Sequence, residues 1–106
     1  MNAKVLNFFG LARRAGKFSG GHDAAFESIQ KGKAKLCFLT ADASERLKNE
    51  FRETVVFGDR NIPLYELDCS MLDVYMATGQ KAAVFTVNDA GFASKLKELL
   101  SEEELH

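Results

Sequence analysis

Few side chains in this chain could carry a reaction. His22, with Asp23 beside it and Ser19 nearby, is the one cluster that resembles a nucleophile with its base. Adjacent residues on a helix point in different directions, so His22 and Asp23 do not form a relay. No nucleophile elbow surrounds Ser19. Gly32-Lys33 lacks the earlier glycine of a phosphate-binding loop, and Ala34 stands where that loop needs Ser or Thr. No GxGxxG is present. Asp42 with Glu45, and the acidic run 102–104, suit helix caps and surface. Cys37 lies inside the apolar run LCFL, and Cys69 stands alone in a loop. They form no CxxC pair, and two histidines, one of them terminal, are too few to complete a metal site. The expectation is a protein with no catalytic residues, metal, cofactor, disulfide or small-molecule substrate.

What remains is a binding surface. Gly20-Gly21 is either a plain connecting turn or a place where the backbone opens a helix toward an anion. Lys17 precedes it, and Arg13-Arg14 end the helix before it. The net charge of −1 hides an asymmetry: residues 1–35 carry +5 and residues 36–106 carry −6. A basic end on an acidic domain points to an anionic partner such as phosphate or RNA, or it is ordinary solvated charge. Lys31, Lys33 and Lys35 follow the same helix. They fall about 15 Å from its start at ~1.5 Å rise per residue, as a separate patch or the solvated end of a strand.

The elements that must position these residues follow from local signals. Asn2 is placed to cap a first helix that Gly16 ends. Residues 17–19 are short and extended. A second helix spans about residues 22–31, with Ala25, Phe26 and Ile29 inward and Gly32 closing it. Residues 35–40 are a strand, apolar throughout its centre, as expected where both faces are covered. Asp42 and Ser44 are candidate caps for a third helix with Leu47, Phe51 and Val55 buried. The run Val55-Val56-Phe57 is either helix end or short strand. Residues 64–67 form a strand, Ser70 caps a short fourth helix ending near Gly79, and residues 81–87 form a strand. Asn88 or Asp89 caps a last helix carrying Phe92, Leu96, Leu99 and Leu100, with an acidic tail, residues 101–106, that frays.

Strands alternating with helices of about ten residues predict an α/β fold, a three-layer α/β/α sandwich around a mixed sheet of about four strands. All 106 residues fit one domain, with no repeat or linker. No apolar run reaches transmembrane length. The start is too polar for a signal peptide, so a cytoplasmic protein without membrane contact is expected.

The segments GLARRAGKFSGG, KGKAKLCFLTADAS, NIPLYEL, ATGQKAAVFTVND and GFASKL occur in this order. Together they resemble the L7Ae/L30e-type ribosomal proteins, above all the small bacterial members. The resemblance implies an α/β/α sandwich and RNA binding, often of kink-turn RNA with its sheared G·A pairs. The family signature places glycine, Asn, Glu and Lys at the turn and second helix. Here those positions hold Gly21, Asp23, Ala24 and Glu27. The second family contact is the loop before the last strand, Thr78, Gly79 and Gln80. There Ala77 and Gly79 match the usual small residues, and Tyr75 replaces a common glycine.

The resemblance thus implies an RNA-contacting set of Arg13, Arg14, Lys17, Gly20, Gly21, His22, Asp23, Glu27, Thr78, Gly79 and Gln80, using backbone N–H groups at Gly21 and His22. An Asn amide donates and accepts, whereas ionised Asp23 only accepts and cannot satisfy guanine O6 or N7. Glu27 puts an anion where the family has a cation. The expected function is non-enzymatic RNA or ribosome association with weakened or altered kink-turn recognition. The alternative is a protein–protein adaptor on the same fold that has lost RNA binding.

Overall fold

The chain begins with a capped helix. Asn2 accepts the Lys4 N–H at 2.7 Å and opens α1 (Ala3–Arg14), which Gly16 leaves at φ +74°. The structure, a computed structural model, describes residues 2–57 and 61–104. After α1 come β1 (Phe18–Gly20), α2 (His22–Gln30), β2 (Leu36–Leu39) and α3 (Glu45–Thr54). Then follow β3 (Leu64–Glu66), α4 (Met71–Thr78), β4 (Val84–Val87) and α5 (Ala90–Glu104). The predicted order of nine elements is therefore the observed one.

The four strands form one mixed sheet in the order β1-β4-β2-β3. β4 runs antiparallel to both neighbours, with Gly20 opposite Phe85 and Phe38 opposite Phe85, and β2 runs parallel to β3. Strand side chains alternate between faces. Leu36 and Phe38 of β2, with Phe85 and Val87 of β4, meet α1, α4 and α5 in one core layer. Cys37 and Leu39, with Val84, meet Ala25 and Ile29 of α2 and Phe51 of α3 in the other. Both central strands are buried along their whole length because each face has its own helices. Phe9, Phe38 and Phe85 form the centre of the first layer, with ring centroids 5.0–5.3 Å apart. Burial, foremost, raises the thiol pKa to about 12 at Cys37 and about 11 at Cys69. Both cysteines are free and act as apolar groups. Among the described residues no helix is long and apolar enough to cross a membrane.

Several local expectations are revised. Phe26 was expected inward but is 39% exposed; Ala25, Ser28 and Ile29 take the buried stripe of α2. Ser44 caps α3 by accepting the Leu47 N–H, while Asp42 reaches across to the Met71 N–H at the start of α4. Ser70 caps α4 in a reciprocal box with Asp73. Asp89 accepts the Phe92 N–H at the start of α5, and Asn88 is used elsewhere. Val55 closes α3 and a turn follows, so residues 55–57 are not a strand. The strands are shorter than predicted, since regular pairing stops at Leu36–Leu39, Leu64–Glu66 and Val84–Val87. α5 runs to Glu104, into the acidic tail expected to fray; residues 105–106 lie outside the described residues.

α1 packs on α4 through Gly10, where an added Cβ would lie 2.5 Å from the Ala77 carbonyl oxygen. Helix propensity alone favours Ala over Gly by about 1 kcal/mol. The backbone clash should outweigh it. Gly10→Ala is expected to lower stability by about 1–3 kcal/mol, the usual cost of overpacking, in urea denaturation. A variant at least as stable as the parent would show that the α1–α4 spacing does not depend on Gly10.

Candidate nucleic-acid interface

The glycine pair does two different jobs. Gly20 ends β1 buried against Gln80, and a Cβ there would meet the Gln80 side chain at 2.8 Å. With no Cβ in the way, the Gln80 amide lies on the strand and donates Nε2–H to the Gly20 carbonyl at 2.8 Å. Gly21 has φ +97° and ψ 163°, a conformation that favours glycine, and is the N-cap of α2 with no side-chain cap. The Gly21 N–H, expected to face a ligand, instead donates to the Val84 carbonyl at 2.8 Å. That is a correction: the turn is pinned to β4. The N–H groups of His22, Asp23 and Ala24 lie ahead of the first α2 hydrogen bond, Ala25 N–H to Gly21 carbonyl, and have no acceptor among the described residues.

The loop before β4 stands against this turn. Gly79 closes α4 at φ +80°, and its N–H bonds the Tyr75 carbonyl at 2.7 Å. Thr78 donates its hydroxyl to the Val74 carbonyl at 2.8 Å and accepts the Gln80 N–H at 3.1 Å. Arg13 reaches the same loop, donating Nη1–H to the Thr78 carbonyl at 3.0 Å. Arg13 therefore ties α1 to the end of α4, while Arg14 is exposed without a side-chain partner among the described residues. The structure thus brings together Arg13, Gly20, Gly21, Thr78, Gly79 and Gln80.

Lys17 lies apart from that group. Its carbonyl accepts the Asn88 N–H at the far end of β4, and Gly20 is three residues along the strand. At ~3.3 Å per residue this is about 10 Å. Lys35 also meets that end, through its N–H and the Val87 carbonyl. On the flank of α2 that faces β1, a hollow of about 170 Å³ is lined by Ser19, Ala24, Glu27, Ser28, Lys31 and Lys33. Its floor is a polar network unforeseen in the sequence. Ser28 and Thr86 both donate to Asn88 Oδ1, at 2.7 and 2.9 Å, and Asn88 Nδ2 donates to Ser19 at 2.8 Å. The available signal was Thr86, a hydroxyl inside the apolar run 82–87, and Asn88 directly after it. Glu27 is ion-paired with Lys31 at 2.6 Å, and the Lys31 ammonium holds its carboxyl below the usual range. The anion at that position is offset locally by its own helix.

His22 and Asp23 sit at the other flank. The expectation that these helix neighbours point apart is corrected: at the exposed first turn of α2 their side chains turn toward each other. His22 Nδ1 meets Asp23 Oδ1 at 3.0 Å, while Nε2 meets Glu50 Oε1 of α3 at 2.6 Å. Its ring also stacks on Phe26 and meets Phe51 edge-on. Only the doubly protonated ring donates to both carboxylates. The bonds to Asp23 first, then Glu50, raise its pKa from the ordinary 6.5. With the folded pKa above the unfolded one, the bridge contributes stability below about pH 6.5 and loses it as pH rises through the folded value. In a proton NMR titration the His22 ring is expected to titrate above 6.5, and Glu50→Gln should lower the midpoint. An unshifted midpoint in the parent would show that the bridge does not form.

Sequence and fold are shared with known proteins. The RNA-binding protein YlxQ of Enterococcus faecium is 36% identical over 97 residues, 92% of this chain and 91% of that protein. The RNA-binding protein YlxQ of Bacillus subtilis (strain 168) is 34% identical over 92 residues, 86% and 89% of the two chains. A solved structure of a protein with unknown function from Bacillus halodurans C matches with a TM-score of 0.83 at 30% identity, over 94% of this chain and 99% of that one. The Giardia lamblia 15.5kD RNA binding protein shares the fold, with a TM-score of 0.71 at 17% identity, covering 99% of this chain and 92% of its own. The profile of the Ribosomal protein L7Ae/L30e/S12e/Gadd45 family matches residues 3–97, and the chain belongs to that family.

Proposed function

We propose that this protein binds structured RNA without catalysis, in the cytoplasm, through the β1–α2 turn and the Thr78–Gly79–Gln80 loop. One observation carries the reading: the uncapped start of α2 stands beside that loop, joined to it by the Gln80–Gly20 hydrogen bond. Free N–H groups at a helix start favour phosphate or a base edge. The RNA-binding names of the two bacterial relatives support it. A catalytic role has no such support, because both ring nitrogens of His22 are held by carboxylates. Neither is left to act as a general base.

Recognition departs from the standard kink-turn mode. Asp23 is fully exposed at the mouth of the turn, as an acceptor-only group. It repels the phosphates and acceptor atoms that an Asn would meet. Affinity then rests on exposed cations: Lys33 and, in part, Lys31 at the hollow on α2, with Arg14 at the end of α1 and Lys17 at the far end of β1. Phosphate contacts of this kind weaken steeply with salt.

The test is a titration of the protein with a kink-turn RNA and a matched plain duplex, at low and physiological salt. Salt-sensitive binding with little preference between the two is expected. Asp23→Asn should strengthen kink-turn binding about tenfold, near the lower end of one base contact, and leave duplex binding nearly unchanged. Arg14→Glu should weaken both. No binding to either RNA at low salt would overturn the RNA reading. Tight kink-turn-selective binding by the parent would overturn the altered recognition.

A further inference from the structure

The second flank of α2 holds a surface that the RNA face does not use. Between α2 and α3 runs a groove of about 440 Å³, lined by Phe26, Gln30, Glu50, Glu53, Thr54 and Phe57. Its apolar members are unusually open: Phe57 is 72% exposed and Phe26 39%, with Val56 beside them at 57%. Scattered exposed apolar residues are ordinary, but here two aromatic rings face one groove. Among the described residues, both charged members of the lining are glutamates. Glu50 is bonded to His22, and Glu53 makes no ion pair among the described residues.

Charge decides between occupants. RNA phosphates would meet two carboxylates of their own sign. A second copy docking by the same face would set Glu50 and Glu53 against their own equivalents, since a two-fold contact is self-complementary. The end of α5 is acidic and is repelled likewise. A cationic partner is attracted, and the aromatic lining requires that it also bring apolar side chains. Two neighbouring helices with a groove between them accept a third helix by its apolar stripe.

We propose that the α2–α3 groove docks a basic amphipathic helix of another protein, its apolar residues between Phe26 and Phe57 and its lysines or arginines on Glu53 and Glu50. The site does not depend on the RNA reading, because its residues lie on the flank of α2 turned away from the Lys31–Lys33 hollow. Rim charges of this kind set partner choice and the rate of encounter, while the apolar anchors carry most of the affinity.

The probe is a synthetic amphipathic peptide with leucine on one helical stripe and lysine on the other, titrated into the isotope-labelled full chain by NMR. The control peptide carries glutamate in place of lysine. Amide shifts are expected at Phe26, Gln30, Glu53, Thr54 and Phe57, with the acidic peptide about tenfold weaker or worse. Glu53→Lys and Phe57→Ser should each weaken the lysine peptide about tenfold. Both positions are exposed, so amide dispersion should stay that of the parent. Shifts centred on α4 or α5, equal binding of the two peptides, indifference to both substitutions, or no binding would each overturn the proposal. So would sedimentation of the free protein as a dimer that Phe57→Ser dissociates.

Discussion

The hydrogen bond from the Gly21 N–H to the Val84 carbonyl is the constraint on which the rest of the site depends. At φ +97° the chain leaves β1 while still bonded to β4, and α2 begins at the next residue. The same turn holds Gly20 opposite Phe85, where the Gln80 amide lies against it. The β1–β4 register therefore positions the start of α2, the Thr78–Gln80 loop and the Asn88 network together. A slip of one residue would turn Phe18 and Gly20 to the wrong faces and undo all three.

Features decided within a few residues were legible in the sequence. Asn2, Ser44 and Ser70 cap their helices, and Gly16, Gly32 and Gly79 take positive φ at or just after helix ends. Alternation of strands and helices gave the layered fold, and the resemblance pointed to a turn and a loop that lie side by side, joined by the Gln80–Gly20 hydrogen bond. What sequence reading missed was decided by partners far along the chain. Asp42 looked like a local cap but bonds Met71, 29 residues on. Asn88 looked like a cap but gathers Ser28 and Ser19 from 60 and 69 residues away. Phe26 satisfied the apolar pattern of α2, yet the buried stripe on so short a helix had room only for smaller residues and Ile29. The Gly21 N–H looked free because nothing near it in sequence reveals Val84.

α2 is the divide between two chemistries. Residues 24, 27, 28 and 31 recur at three- and four-residue steps and face β1, with hydroxyls and lysines around a polar floor. Residues 22, 26 and 30 recur at four-residue steps and face α3, where aromatic rings meet glutamates. The Glu27–Lys31 pair keeps the first flank from being acidic, and His22 binds one of the carboxylates on the second. One short helix thus separates surfaces of opposite preference.

Net charge conceals this arrangement. A chain of −1 would be expected to attract neither strong anions nor strong cations. The field that a ligand meets is local, however. At physiological ionic strength charges are screened over about 8 Å, and a helix with its side chains is about 10–12 Å across. Lys31 and Lys33 are therefore largely screened from Glu50 and Glu53 on the other flank. Each flank acts on its surroundings as if the other were absent, so one small domain holds an anion-directed face and a cation-directed groove without either cancelling the other.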